Sequence, residues 1–345
     1  MNKLDLLAEW TNHEATWIGW PYNKSDWPQK FSPIPYVYAE IVKYISRGEK
    51  VRIFVQSKEH RLKAEKVLKD SNGGLTNVEF FIKKTDRGWL RDSGPMFVKD
   101  RNEVIVIDFK FNAWAKYDDY KHDDKIPSFI SQKLKLKRIA AEHNSRQVVL
   151  EGGAIDTNGK GTLITTEECL LDEKVQTRNP GFTKQDYFEI FKKYFGVTNV
   201  IWLGKGIVGD DTHGHIDDLC RFVNEDTVVL VSEKNPSEEN YNLLNENRER
   251  LQNIKLLNGS NLNVVSLPMP SPQIFKGQRL PASYANFYIS NYAVLVPTFN
   301  DPNDRIVLGI LSDFFADRKV IGIHSVDLVW GLGTLHCLTK EQPAI

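Results

Sequence analysis

Residues 161–203, GTLITTEECLLDEKVQTRNPGFTKQDYFEIFKKYFGVTNVIWL, contain the pattern from which the fold class follows. The β-branched run 161–165 predicts a strand, and 183–195 has the apolar spacing of a helix. Residues 199–203 are again β-branched and aromatic, which predicts a second strand close behind the helix. The stretch is therefore one strand–helix–strand unit of an α/β fold.

The same order recurs along the rest of the chain at intervals of roughly 60–70 residues. Further helices are predicted over 35–46, 58–69, 237–253 and 304–318. Strands are predicted to follow them over 51–55, 78–82, 263–267 and 320–323, with additional strands over 104–109, 227–231 and 287–296. Such recurrence is typical of a radial or stacked array, but the pattern alone is equally compatible with a plain α/β sandwich.

Composition excludes several classes of protein. The 345 residues suffice for one large domain or two smaller ones, and 45 basic residues balance 45 acidic ones. This balance favours neither nucleic acid nor an anionic membrane as a partner, and the sequence predicts no membrane span or signal peptide. Three widely spaced cysteines form neither a disulfide framework nor a zinc pattern, so a reducing cytoplasm is the expected compartment.

Two short motifs combine acidic residues with turn signals. In 89–95, WLRDSGP, the charged pair precedes a turn, which predicts that Asp92 projects from a strand end into a cleft beside Trp89. In 151–154, EGGA, paired glycines allow close approach to a ligand or to another strand. Each motif also has a purely structural interpretation: 89–95 can be a surface turn, and 151–154 can be a β-bulge.

Residues 209–218, GDDTHGHIDD, form the densest cluster of ionisable groups. If the strand predicted from Leu219 extends back through this cluster, His215 and Asp217 share one of its faces and suit acid/base chemistry beside a carboxylate. His213, His215 and Asp217 also match the beginning of some zinc hydrolase sites. Such sites need further histidines, and only His324 and His336 follow.

The three cysteines differ in their surroundings. A glycine-rich turn, 331–334, precedes Cys337, which is predicted to lie in a short apolar strand. A thiol there can serve as a nucleophile if neighbouring groups lower its pKa and hold the carbon that it attacks. Cys169 and Cys220 lie among apolar residues and are expected in the core.

Taken together, these motifs resemble the agmatine deiminase family, part of the pentein superfamily of guanidine-modifying enzymes that includes bacterial-type peptidylarginine deiminases. The matching stretches follow the family order and are 89–95, 111–114, 151–153, 165–171, 178–181, 209–222 and 331–339. The resemblance implies a single catalytic domain over 1–345. It also implies a pentein α/β propeller of five pseudo-symmetric ββαβ units around a central active-site cleft.

The resemblance also implies roles for individual residues. Cys337 matches the nucleophile, His215 the general acid/base, and Asp92 and Asp217 the carboxylates that hold the guanidinium. Four further positions match substrate-binding residues, with Asp211 suited to a distal amine: Trp89, Glu151, Asp211 and Gly333. The implied reaction passes through a covalent thiouronium on Cys337 and needs neither a metal nor an organic cofactor. Nearby carboxylates are expected to raise the thiol pKa, and a cationic substrate or a protonated His215 would offset them.

Departures from the family pattern bear on the choice of substrate. Leu332 and Ala115 replace glycines that are usual in the family, and Lys340 and Glu341 stand where glutamines are common. Peptidylarginine deiminases of this type carry an arginine pair for the substrate carboxylate near 111–114, whereas here only Lys110 and Lys116 are cationic. This difference favours a small cationic guanidino substrate without a carboxylate.

The leading expectation is hydrolysis of agmatine to N-carbamoylputrescine and ammonia by a cytoplasmic homo-oligomer, a dimer or larger. The pathway served is either polyamine biosynthesis through putrescine or an energy-yielding breakdown. The alternatives are a deiminase of peptidyl-arginine or of another guanidino compound, a zinc hydrolase using His213, His215 and Asp217, and a catalytically silent guanidine-binding protein.

Overall fold

An antiparallel strand pair, a helix and a parallel third strand occur five times in the computed structural model, which describes residues 4–344. The antiparallel pairs are Met96–Asp100 with Glu103–Asp108, Ile155–Thr157 with Thr162–Thr166, Cys220–Phe222 with Thr227–Ser232, Tyr288–Ile289 with Ala293–Thr298, and Thr339–Pro343 with His13–Gly19. The helices are, in the same order, Ile126–Leu134, Lys184–Phe195, Asn240–Arg250, Asn303–Phe314 and Ile34–Ile45. The parallel third strands are Lys137–Ala140, Asn199–Leu203, Asn263–Pro268, Lys319–His324 and Lys50–Val55. The five ββαβ units are thus confirmed, and the plain sandwich is wrong.

The fifth unit joins the two ends of the described chain. Thr339–Pro343 pairs antiparallel with His13–Gly19, with Thr16 opposite Glu341. Strand Val78–Ile82, which follows helix Lys58–Asp70 along the chain, extends this sheet by pairing with Lys50–Val55. Asp5–Leu6 adds an edge strand to the sheet of Met96–Asp100. Two short hairpins complete the strands: Glu142–His143 with Arg146–Gln147, and Ile274–Phe275 with Gln278–Arg279.

Helix Lys184–Phe195 illustrates why these segments fold locally. Thr183 and Asp186 form a capping box at its beginning, and Gly196 ends it in the left-handed conformation at φ +69°. Tyr187, Ile190 and Phe191 fall at helical spacing and are buried. The helix therefore covers the sheet to which Asn199–Leu203 belongs.

Most predicted elements occur within a few residues of their predicted ends, and the differences are local. Residues 287–296 form two strands, Tyr288–Ile289 and Ala293–Thr298, because the chain turns between them. Helix Ile126–Leu134 was not predicted. Residues 117–125 lie mostly at the surface, but they contain the fully buried Asp123, whose carboxylate accepts backbone N–H groups of the segment 86–88. No helix within residues 4–344 is both long and apolar enough to cross a membrane.

A short segment precedes the first strand of each unit, and each segment brings one group to the same place. Four of these segments are single helical turns: Leu90–Ser93, Gly152–Ala154, Ile216–Asp218 and Leu335–Leu338. The fifth contains Asn286, directly before Tyr288–Ile289. Hydrogen bonds join neighbouring segments, for example Gly153 N to Asp92 and Asn286 to Cys337. The fivefold repetition therefore constructs one central site.

Candidate active site

Cys337 lies in the short helix Leu335–Leu338, so the predicted apolar strand is wrong; the strand begins only at Thr339. The turn before the helix passes through Leu332 at φ +66° and then Gly333. A Cβ on Gly333 would lie 3.2 Å from Sγ of Cys337 and 3.0 Å from the Trp89 ring. Glycine is therefore needed for the backbone to pass this close to the thiol.

The thiol of Cys337 is 5% exposed and has polar neighbours on two sides. Asn286 Nδ2 donates to Sγ over 3.1 Å, and Sγ lies 3.7 Å from Oδ2 of Asp217. Burial raises the pKa of Cys337 well above its ordinary value, and the charges of Asp217, Asp218 and Asp92 raise it further. The predicted direction of the shift is thus found, with Asp218 as a contributor that the sequence analysis missed.

Asp92 belongs to the helical turn Leu90–Ser93 rather than to a strand end. Its Oδ1 accepts Gly153 N over 2.9 Å and its Oδ2 accepts Trp114 Nε1 over 2.9 Å. Burial raises the pKa of Asp92, which the charge of His215 opposes. A cation arriving beside Asp92 would therefore stabilise its ionised form.

His215 is enclosed by carboxylates without a hydrogen bond to any of them. Its Nδ1 lies 3.9 Å from both Asp92 Oδ1 and Asp217 Oδ1, and its Nε2 lies 3.8 Å from Glu151 Oε2. Among the described residues, neither ring nitrogen has a hydrogen-bond partner. Burial acts to lower the pKa of His215, but the charge of Asp92 and the contacts with Cys169 and Glu151 raise it well above its ordinary value. The surrounding carboxylates therefore favour the protonated imidazole.

The predicted shared strand face of His215 and Asp217 is wrong, because Ile216–Asp218 forms a 3₁₀ turn and the strand begins at Cys220. The turn nevertheless brings both side chains together. It also buries Asp218, whose Oδ1 accepts Asn286 Nδ2 over 3.0 Å.

Asp217 has one oxygen engaged and one free. Its Oδ2 contacts His336 Nδ1 at 2.7 Å, while Oδ1 is buried without a partner in the part of the chain that the structure describes. Burial acts to raise the pKa of Asp217, but the hydrogen bond and charge of His336 keep it below its ordinary value. His336, for which the sequence offered no acidic partner, in fact bridges Asp217 and Glu9, whose Oε2 lies 2.8 Å from Nε2.

Glu151 is completely buried beside His215 and does not line the cavity described below. Arg178 Nε donates to its Oε1 over 3.1 Å, an ion pair that is closed to solvent. Burial acts to raise the pKa of Glu151, but Arg178 and His215 lower it to about 2. Its permanent negative charge helps to keep His215 protonated.

This pair predicts a pH dependence of stability. Because the pKa of Glu151 falls from 4.5 to about 2 on folding, its stabilising contribution is complete above pH 4.5 and is lost as the pH falls toward 2. We expect the difference in unfolding free energy between wild type and Glu151→Gln to shrink by about 2 kcal/mol from pH 6 to pH 3. Urea unfolding at both pH values measures it, and a constant difference would contradict the lowered pKa.

Gly153 is the point where three of these groups meet. A Cβ at this position would lie 2.5 Å from His215 Nδ1, 2.9 Å from Asp92 Oδ1 and 3.0 Å from Asp217 Oδ2. Any side chain would displace them, so the paired glycines serve close approach within the site rather than a β-bulge.

A cavity of about 260 Å³ opens beside Cys337. Among the residues that line it are five predicted site residues: Trp89, Asp92, Asp211, Gly333 and Cys337. The Trp89 ring packs against Trp27 with centroids 5.5 Å apart. Asp211 reaches the cavity with both oxygens engaged, Oδ1 by Lys116 Nζ at 2.5 Å and Oδ2 by the Tyr117 hydroxyl at 2.7 Å.

The loop that carries Trp114 is strained. Ala113, Trp114 and Ala115 have φ values of +50°, +59° and +54°, a left-handed turn held by Asn112 Oδ1, which accepts Ala115 N over 2.9 Å. This conformation is unfavourable for residues with a Cβ. The turn aims Trp114 Nε1 at Asp92 at the cost of that strain.

Ala115→Gly is therefore expected to raise the unfolding free energy by about 1 kcal/mol, because glycine adopts positive φ without a steric penalty. Chemical denaturation measures the change. Ala316, exposed and without positive φ, provides the matched control, and Ala316→Gly should leave stability unchanged or lower it. Equal effects of the two substitutions would contradict strain at Ala115.

The zinc site predicted from His213, His215 and Asp217 is wrong. His213 lies away from the other two, with Nε2 2.9 Å from Asp172 Oδ2, and lines a different cavity. Within residues 4–344, only Glu151, Cys169 and His215 bring three metal-ligating atoms within 4.8 Å of one another, and Arg178 already neutralises Glu151. Cys169 is buried, as predicted, but beside His215 rather than in a purely apolar core.

The fold and the site together define the class, a guanidine-modifying enzyme of the pentein fold. An amidinotransferase from Microseira wollei shares the fold at 12% identity and a TM-score of 0.53, with 99% of this chain and 97% of that chain covered. A Cys-to-Ser variant of the C. jejuni agmatine deiminase, solved with substrate bound, is 31% identical with a TM-score of 0.86, and 98% and 96% of the two chains are covered.

Similar protein sequences of known enzymes belong to the same class as these solved structures. The agmatine deiminase of Ectopseudomonas mendocina is 31% identical over 363 aligned positions, which cover 98% of this chain and 95% of the relative. The profile of the Porphyromonas-type peptidyl-arginine deiminases matches residues 5–343, and the chain belongs to that family.

Proposed function

We propose that this chain is an agmatine deiminase, one catalytic unit over residues 1–345 that hydrolyses agmatine to N-carbamoylputrescine and ammonia. One observation carries the proposal. The thiol of Cys337 lies 3.7 Å from Oδ2 of Asp217 and interacts with the charge of Asp92, and both nitrogens of His215 and Oδ1 of Asp217 have no partner among the described residues. Buried polar groups are normally hydrogen-bonded, so these free atoms indicate a ligand: Asp217 Oδ1 can accept an N–H group from it, and the surrounding carboxylates favour a positive charge on it.

The first half of the reaction forms a carbon–sulfur bond. Asp92 and Asp217 accept N–H groups of the guanidinium and fix its plane. The bound cation offsets the carboxylates that raise the pKa of Cys337, so the thiol releases its proton to water in the cavity when substrate arrives. The sulfur attacks the central carbon, His215 protonates a terminal nitrogen, the carbon–nitrogen bond breaks, and ammonia leaves a thiouronium on Cys337.

The second half breaks that bond. His215, now neutral, removes a proton from water, and the resulting hydroxide attacks the thiouronium carbon. As the carbon–sulfur bond breaks, the hydroxyl proton of the adduct passes to the departing sulfur, which restores the thiol, and the product leaves as a urea. His215 then holds the proton for the next cycle, consistent with its raised pKa.

Three features support agmatine over arginine in a peptide. The curated relative and the C. jejuni structure are agmatine deiminases. The arginine pair expected for a substrate carboxylate is missing near 111–114, and Lys116 is bound to Asp211. The cavity is small, about 260 Å³, which suits a four-carbon amine.

A steady-state assay of ammonia release tests the proposal with agmatine, free arginine and a peptide that ends in arginine. We expect kcat/KM for agmatine to exceed the others by at least about 100-fold. Preference for the peptide would instead establish a peptidylarginine deiminase. Calorimetric binding of agmatine without turnover would establish a silent guanidine-binding protein.

We further propose that the protein acts in the cytoplasm as a dimer or larger homo-oligomer and supplies putrescine synthesis. The three free cysteines support a reducing compartment. Light scattering of the purified protein tests the oligomer, and a monomer at micromolar concentration would contradict it.

A further inference from the structure

Asp26 is a buried carboxylate that the reaction described above does not use. It lies in the turn between His13–Gly19 and Ile34–Ile45, and it lines the same cavity as Cys337. Its side chain is 1% exposed, and Oδ1 accepts Arg87 Nη1 over 3.0 Å. Oδ2 is buried and has no hydrogen-bond partner within the described residues. A buried carboxylate oxygen without a partner is costly unless a ligand supplies one.

Arg87 is the one cationic side chain among the described residues that line this cavity. Its charge is already compensated, because Nη1 contacts Asp26 and Nε donates to Asp119 over 2.9 Å. The guanidinium also lies over the Tyr117 ring, 3.9 Å from its centroid. Two carboxylates and an aromatic face therefore leave Arg87 little capacity to bind a substrate carboxylate.

Three carboxylates line the cavity, and they are not equivalent. Asp92 belongs to the reaction centre, and both oxygens of Asp211 are engaged by Lys116 and Tyr117. Asp26 is thus the carboxylate away from the reaction centre that keeps an oxygen available.

We propose that Asp26 is a specificity-determining residue that favours guanidines with an ammonium at the far end and disfavours those with a carboxylate. This inference rests on the proposed function and names a residue that selects the substrate. Asp26 acts in two ways: Oδ2 accepts an N–H of the ammonium, and its charge keeps Arg87 from attracting a substrate carboxylate.

The electrostatic surroundings of Asp26 add a pH dependence. Burial raises the pKa of Asp26 to about 7. The positive charge of Arg87 opposes this rise, and the negative charges of Asp119 and Asp123 contribute to it. The other titratable groups that interact with it are tyrosines that stay neutral in this range: Tyr22, Tyr38 and Tyr117. The preference for an ammonium tail therefore increases as the pH rises through about 7, where Asp26 is half ionised, and weakens below it.

Asp26→Asn tests the inference through the ratio of kcat/KM for agmatine to that for butylguanidine, which has the same chain length and no amine. Titration of Cys337 and His215 affects both substrates alike and cancels in the ratio. We expect the substitution to lower the ratio about tenfold to a hundredfold, the range of a charge-assisted hydrogen bond. Activity on arginine relative to butylguanidine should rise, because Arg87 gains capacity for a carboxylate.

Asp119→Asn is the matched control, because Asp119 contacts Arg87 but is exposed and does not line the cavity. It should leave the ratio within about threefold of wild type. If Asp26→Asn fails to fold, the wild-type ratio measured from pH 6 to pH 8 replaces it and should rise with pH.

The two proposals fail in different ways. An unchanged ratio in active Asp26→Asn, or a ratio independent of pH in wild type, overturns the role of Asp26 alone. A wild type that releases no ammonia from agmatine overturns the proposed function.

Discussion

Cys337→Ser is expected to reduce ammonia release from agmatine by about 10⁴-fold or more, since removal of a covalent nucleophile leaves only binding and electrostatic effects. A serine hydroxyl ionises far less readily than a thiol, and the buried carboxylates that raise the pKa of Cys337 would oppose an alkoxide even more strongly. Asp92 and Asp217 remain in place, so calorimetry should still detect agmatine binding. Single-turnover assays with micromolar enzyme measure the residual rate.

Cys220→Ala is the matched control for that loss. Cys220 is equally buried but lies in strand Cys220–Phe222, outside the cavity that Cys337 lines. Its substitution should leave kcat within about threefold, with a modest loss of stability from the smaller side chain. Persistent ammonia release from Cys337→Ser would exclude the covalent mechanism.

His215→Gln is expected to lower kcat by about 10²- to 10⁴-fold, the usual contribution of a positioned acid/base group. The imidazole is poised to give its proton to the leaving nitrogen, and the glutamine amide cannot replace it. No hydrogen bond of the free protein is lost among the described residues, because both ring nitrogens lack partners there. Rapid-quench assays that separate formation of the thiouronium from its hydrolysis should show both steps slowed.

His213→Gln provides the comparison two residues away. His213 contacts Asp172 at the edge of another cavity, so we expect nearly full activity. A zinc hydrolase built on both histidines would lose activity in either variant. Loss of activity in His213→Gln to the level of His215→Gln would therefore contradict the assignment of His215 as a lone acid/base.

The regular elements could be predicted because their signals are local. Strands Val78–Ile82 and Asn199–Leu203 have the predicted ends. Helix Lys184–Phe195 begins one residue after its predicted start, because the predicted first residue, Thr183, is the N-cap. The turns that carry the site were predicted less well. Residues 215–218 and 335–338 are too short for periodicity to separate a helical turn from a strand, so both were assigned as strands.

The partners of the site residues could not be predicted from local pattern. Asn286 contacts Cys337 from 51 positions away, and His336 joins Asp217 to Glu9, which is 327 positions distant. Asp26 and Arg87 likewise lie in turns that resemble ordinary polar surface. Only the folded chain reveals that burial leaves one oxygen of Asp26 without a partner.

The order in which the five segments occur along the chain has a consequence for biogenesis. Asp92, His215 and Asp217 emerge from the ribosome well before Cys337, and Thr339–Pro343 must still pair with His13–Gly19 to fix the turn that bears the thiol. A nascent chain therefore carries an incomplete site until Cys337 and the strand after it have been made. Catalytic competence arises only when Thr339–Pro343 docks beside His13–Gly19 and closes the fifth unit.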